Sequence, residues 1–331
     1  MTYVTRRAPQ LETITLRGLR FQAYHWAGRA DRTPLVLIHG WGDTGATWQF
    51  LVDELPAERA CLAIDLRGFG RTQWADGGYW FPDYLADLEA LLDMLAGGMV
   101  DGSCGAWSRP RSPGSPSLDP RIGPRIDAAL RGSSQPTFDI VGHSMGANVA
   151  MLYAGVRPHR VRRLVNLEGF GLARTSAEEA PARYAAWLDD LKRDAGFAIY
   201  DSFEQFSMVL AKRNPRTPAQ RLKYVARCWA REREDGRIEL RADPAHKRVN
   251  PVLYQREQAQ ACWRAIAARV LVVSGEVSGV ARSMADQITD EHWRAMLRDV
   301  RTAVLPGAGH MLHHEQPHEL AELIEAFLAE A

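Results

Sequence analysis

The segment Gly142-His143-Ser144-Met145-Gly146 fits the pattern G-x-S-x-G, and its flanks give the pattern meaning. An apolar run at 138–141 leads into it, and a helix-like run at 147–154 leads out. A strand that turns sharply into a helix crowds its own backbone. Small residues two places before and after the serine relieve that crowding and leave Ser144 on an exposed, strained tip. A serine hydroxyl is a weak nucleophile at neutral pH and needs a base. Of the ten histidines, His310 is the best placed. It follows Pro306-Gly307-Ala308-Gly309 just after a strand-like run, where small residues let an imidazole reach over a sheet edge. His313 and His314 read as first-turn helix residues beside Glu315, and His143 is expected to point away along the turn. Acyl chemistry also needs N–H groups aimed at the developing oxyanion. Met145, at a helix N-terminus, is one candidate donor. Trp41 is the second, in His39-Gly40-Trp41-Gly42 directly after the apolar run Leu35–Ile38.

These residues need a sheet to position them. Short continuous apolar runs occur at Leu35–Ile38, Cys61–Ile64, 138–141, Val161–Leu167 and 270–273, with a weaker one at 303–305. Such runs predict strands buried on both faces, as in a parallel sheet. Residues 12–26, interrupted by Arg17-Gly18, predict a β-hairpin. Tyr84, Leu85, Leu88, Leu91, Leu92 and Leu95 recur at three- and four-residue spacing and predict an amphipathic helix. Residues 317–331 predict another that closes the chain. Strands alternating with helices imply an α/β architecture with helices on both faces of the sheet.

Two regions break the rhythm. Residues 97–136 are rich in Gly, Ser, Pro and Arg and are expected to form a mobile surface insertion. Residues 172–266 show no obvious strand. They predict helical pieces at 184–192, 203–212, 219–232 and 255–266, an inserted helical block between two core segments, 1–171 and 267–331. Its aromatics, among them Trp187, Phe197, Phe206 and Trp229, would form its own core and line an apolar pocket.

Composition excludes several classes. Lys and Arg total 41 and Asp and Glu 40, a net charge of +1, so nothing draws the chain to nucleic acid or an anionic membrane. No stretch approaches the ~18 uninterrupted apolar residues of a membrane span. Residues 1–10 do not read as a secretory signal, so a cytoplasmic protein is expected. Cys61, Cys104, Cys228 and Cys262 are scattered without a C-x-x-C pair and read as reduced thiols rather than a disulfide frame or zinc site.

The ordered set HGWG, DLRGFG (residues 65–70), GHSMG and GAGHMLHHEQP (residues 307–317) resembles the α/β-hydrolase fold superfamily, and within it the bacterial serine hydrolases with a helical cap. The resemblance implies a mostly parallel central sheet flanked by helices, a cap inserted at 172–266, and a Ser–His–acid triad. It implies no metal or organic cofactor. In such proteins the acid usually follows the strand that here ends near Gly275. This chain reads Gly275-Glu276-Val277-Ser278-Gly279, with no Asp. Some members carry the acid one strand earlier, which points to Glu168, at the end of Val161–Leu167. Glu276 is the alternative, and a dyad or an acid from the cap such as Asp243 remains open. The expected activity is hydrolysis of a small apolar or aromatic carboxylic ester through an acyl-enzyme on Ser144. The alternatives are C–C bond hydrolysis of a diketone-like substrate and a non-catalytic binding protein on the same fold. Serine at the nucleophile position disfavours dehalogenase chemistry, which uses Asp there.

Overall fold

The structure, a computed structural model, describes residues 2–29, 33–100, 136–193 and 196–330. Its centre is an eight-stranded sheet in the order β1-β2-β4-β3-β5-β6-β9-β10. The strands are β1 (Gln10–Leu16), β2 (Leu19–Trp26), β3 (Leu35–Ile38), β4 (Cys61–Ile64), β5 (Phe138–His143), β6 (Val161–Leu167), β9 (Arg269–Gly275) and β10 (Val300–Leu305). From β4 to β10 every pairing is parallel; β1–β2 and β2–β4 are antiparallel. The β1–β2 turn uses Arg17 and Gly18, both at positive φ (50° and 81°), the backbone that a tight two-residue hairpin demands.

Side chains alternate between two cores because successive residues of a strand face opposite ways. Val36, Ile38, Leu62, Ile64, Ile140, Leu164, Val270 and Val272 face one side. There they meet α2 (Phe81–Val100), α3 (Met145–Val156), α7 (Arg256–Arg264) and α9 (Asp290–Met296), which follows the short α8 (Gly279–Ser283). Leu35, Leu37, Cys61, Ala63, Val165, Leu167, Leu271 and Val273 face the other, against α1 (Gln49–Val52) and α11 (Pro317–Ala329). Both faces are dry, which is why these strands read as continuous apolar runs.

Between β6 and β9 lie α4 (Ala180–Asp190), α5 (Phe203–Arg213) and α6 (Ala219–Trp229). Two short strands follow, β7 (Ala230–Glu232) and β8 (Ile238–Leu240), paired as an antiparallel hairpin. The expected helical block, in which no strand was read, thus carries one short hairpin. The helix predicted to reach residue 232 stops at Trp229, and the chain turns into β7. Phe206, Leu210, Leu222, Val225, Ala226 and Ile238 form a separate small core, into which Phe50 of α1 inserts. The last helix of the interval, α7, packs its Ala259 and Trp263 into the main core instead. Of the expected insertion at 97–136, residues 97–100 belong to α2, and residues 101–135 lie outside the described residues. Among the described residues no helix is long and apolar enough to cross a membrane. Cys61, Cys228 and Cys262 are free thiols.

Candidate active site

Ser144 sits between β5 and α3 at φ 51° and ψ −115°, a conformation costing a non-glycine residue on the order of 1–3 kcal/mol. The flanking glycines are imposed by packing. A Cβ on Gly142 would lie 2.6 Å from the Ala147 Cα, and one on Gly146 would run into the carbonyl oxygens of Ile38 and His39. The strained turn is pinned by the Ser144 N–H donating to the Leu167 carbonyl at 2.8 Å and by the Asn148 N–H donating to the Ser144 carbonyl at 3.0 Å.

His310 lies on the loop between β10 and the short helix α10 (Leu312–Glu315). Its Nε2 is 3.1 Å from the Ser144 Oγ, and its Nδ1 is 2.9 Å from Oε2 of Glu168. Glu168 follows β6 at φ 59° and is 1% exposed. A buried carboxylate needs partners to offset its lost hydration. The Gly275 N–H donates to Oε1 at 2.7 Å and the Ser278 hydroxyl donates to Oε2 at 2.5 Å. With Nδ1–H donating to the same oxygen, the imidazole presents its Nε2 lone pair to the Ser144 hydroxyl. Glu276 is exposed and accepts the Gly307 N–H at 2.8 Å, bracing the loop that leads to His310. Asp243 accepts the Tyr79 hydroxyl at 2.7 Å and caps the turn at Ala245.

The loop after β3 lies beside Ser144: a Cβ on Gly40 would be 3.1 Å from the Ser144 Cβ. Buried His39 fixes this loop. Its Nε2 accepts the Leu66 N–H at 2.8 Å, and its Nδ1–H donates to the Gly40 carbonyl at 2.7 Å. In a trans peptide the carbonyl and the next N–H point opposite ways. No cis peptide occurs among the described residues, so the Trp41 N–H is directed away from His39. Met145 opens α3, where a backbone N–H has no intrahelical acceptor. All these groups follow the carboxyl ends of parallel strands, the edge where open α/β sheets bind ligands.

A profile of the alpha/beta hydrolase family matches residues 35–323. This chain belongs to that family. A serine hydrolase-like protein of Danio rerio is 22% identical over 311 residues, spanning 91% of this chain and 83% of the relative. A 2-(acetamidomethylene)succinate hydrolase of Mesorhizobium japonicum is 23% identical over 296 residues, 89% of this chain and 88% of that one. Among solved structures, the thioesterase domain from the curacin biosynthetic pathway superposes with a TM-score of 0.74 at 20% identity, covering 96% of this chain and 99% of the domain. At that identity the likeness is one of fold. The alpha/beta hydrolase family member is thus a hydrolase with a mostly parallel sheet.

Two features escaped the sequence. The first is an aromatic wall built outward from Trp41, whose side chain is 51% exposed. Its ring meets Phe69 edge-on at 6.2 Å and Phe197 at 6.4 Å, and Phe69 stacks on His246 at 3.8 Å. Burial pushes the His246 pKa down to about 3, so this imidazole is a neutral part of the wall. The second is a buried polar cluster behind Ser144. Asp43 Oδ2 is 3.2 Å from His313 Nε2 and 3.5 Å from His314 Nε2. His143, expected to point away along the turn, donates its Nε2–H to the His310 carbonyl at 2.8 Å. Burial, and then the neighbouring His313 and His310, hold the His143 imidazole well below its ordinary pKa.

Proposed function

We propose that this hydrolase cleaves small apolar or aromatic carboxylic esters, with Ser144 as nucleophile, His310 as general base and acid, and Glu168 as the orienting acid. The reading rests on the unbroken run of contacts from Ser144 Oγ through both ring nitrogens of His310 to the Glu168 carboxylate. Ser144 attacks the ester carbonyl as His310 Nε2 takes the hydroxyl proton. Glu168 holds the Nδ1–H tautomer and stabilises the imidazolium. The Trp41 and Met145 N–H groups stabilise the oxyanion. His310 returns the proton to the leaving alcohol, and water activated by the same ring releases the acid from the acyl-enzyme. The segment expected at 172–266, apart from α7, which packs into the main core, acts as a cap over this edge, and the Trp41–Phe69–Phe197 wall supports an apolar or aryl substituent next to the reacting carbonyl.

Fluorophosphonate labelling combined with a hydrolysis panel tests the assignment. The panel spans acyl chain lengths, aryl esters and a ring-cleavage diketone. The wild type should label at Ser144 and turn over short aryl esters fastest. Ser144→Ala should lose labelling and lower kcat by roughly 10⁴- to 10⁶-fold while staying folded. Labelling or turnover surviving in that variant contradicts the nucleophile. Turnover of the diketone alone contradicts the ester reading.

A further inference from the structure

We infer that Asp43, His143, His313 and His314 form a buried binding site for one divalent transition-metal ion, with zinc the best match, directly behind the Ser144–His310 pair. All four side chains are at most 2% exposed. Ligand atoms of Asp43, His143 and His313 lie within 4.8 Å of one another. His314 Nε2 adds a fourth, 3.5 Å from the Asp43 Oδ2. In a tetrahedral site with zinc–ligand bonds of about 2.0–2.2 Å, neighbouring donors are separated by roughly 3.3 Å. The Asp43–His313 and Asp43–His314 separations, 3.2 and 3.5 Å, already match that edge, and the His143 ligand atom, within 4.8 Å of those of Asp43 and His313, closes the set by moving inward as the ion binds.

Two independent observations point to a ligand. His143 Nδ1 and His314 Nε2 are buried without hydrogen-bond partners, a costly arrangement for ring nitrogens. The carboxylate is also held as a metal ligand would be. Its Oδ1 takes the Thr44 N–H at 2.8 Å, the Thr47 hydroxyl at 2.6 Å and the Trp229 Nε1–H at 2.6 Å. That leaves Oδ2 aimed at the histidines, and such outer partners fix ligand orientation in metal sites. Three imidazoles and one carboxylate suit zinc or copper rather than magnesium or calcium, which prefer oxygen donors. The Trp48 ring, 4.7 Å from His313, and the Phe50 ring, 5.5 Å from His314, wall the site with apolar surface.

The position sets the consequence. The ligands come from three separate segments: the loop after β3, the end of β5, and α10. An ion joining them cross-links the fold. It also draws on His143, which holds the His310 carbonyl, and on Asp43, two residues beyond Trp41. Bound metal therefore stabilises the protein and inhibits it, as a regulatory ion rather than a participant in the reaction.

The test titrates zinc into metal-free protein against a chromophoric chelator, with cobalt as a spectroscopic substitute. One equivalent should bind, with the intense visible bands of tetrahedral cobalt. The melting temperature should rise and ester turnover should fall, and a strong chelator should reverse both. His314→Gln and Asp43→Asn should each weaken zinc binding by at least about tenfold. Glu168→Gln, which disrupts the alternative His310–Glu168 pair, should leave the affinity unchanged. Zinc bound no more tightly by wild type than by folded His314→Gln, or affinity lost in Glu168→Gln alone, overturns the site. If both ligand variants fail to fold, a crystal grown with zinc decides by whether the anomalous peak lies among these four side chains or elsewhere.

Discussion

Around Ser144 the backbone is confined from several sides, whereas α4, at the start of the segment between β6 and α7, is held far more loosely. Gly142 has α3 against it, Gly146 has the end of β3 against it, and the Ser144 N–H is tied to β6. In the inserted segment, α4 buries none of its residues, and Tyr184 and Leu188 are about half exposed. The small core there relies on Phe50 from α1 to complete it. The contrast separates two tasks. Chemistry needs groups fixed to fractions of an ångström, so it sits where the sheet over-determines the backbone. An exposed helix such as α4 carries no such constraint.

That contrast can be broken experimentally. Gly146→Ala puts a methyl group into two backbone carbonyls that have no room to move. It should cost about 3 kcal/mol or more of global stability, read from denaturant unfolding, and remove activity in step. If the variant is stable and active, the elbow is looser than described. Phe206→Ala, in the inserted segment, should cost about 3 kcal/mol too, but locally. Hydrogen exchange should accelerate across residues 200–240 and leave the sheet protected. The KM for bulky esters should rise, while kcat for an acetate ester stays within about threefold. Sheet protection lost together with that of the segment would mean one cooperative unit. Ser278→Ala has the smallest expected effect. It removes one of three donors to the Glu168 carboxylate, a charge-assisted hydrogen bond worth about 1.5–3 kcal/mol. Turnover should drop roughly tenfold at constant KM, and an unchanged kcat would make Ser278 merely a cap for the following turn.

The same contrast explains what could be read from residue order. Each sheet strand from β3 to β9 is buried on both faces, so its apolar run stands out between turn residues, and the elbow is a local pattern of five residues. The β7–β8 hairpin has no such signature. Ala230, Arg231 and Glu232 are acceptable helix formers, and their extension is decided by pairing with Ile238–Leu240 across a turn containing Asp235 and Gly236. Tertiary pairing overrides propensity there. The Glu168 carboxylate was legible only as one of several acids, because its donors Gly275 and Ser278 arrive from β9 and the loop beyond it. Asp43 and His313 are 270 residues apart, so no spacing rule brings them together.

On the proposed function the triad acid lies at the end of β6, not after β9. The most direct measurement compares kcat of Glu168→Gln and Glu276→Gln at matched thermal stability. An amide at 168 supplies no charge to the imidazolium and favours the wrong tautomer, so Glu168→Gln should lower kcat by about 10²- to 10⁴-fold with little change in KM. Glu276 only braces Gly307 from the surface, so Glu276→Gln should stay within about threefold of wild type. A crippled Glu276→Gln beside a Glu168→Gln of near-wild-type turnover would contradict the account.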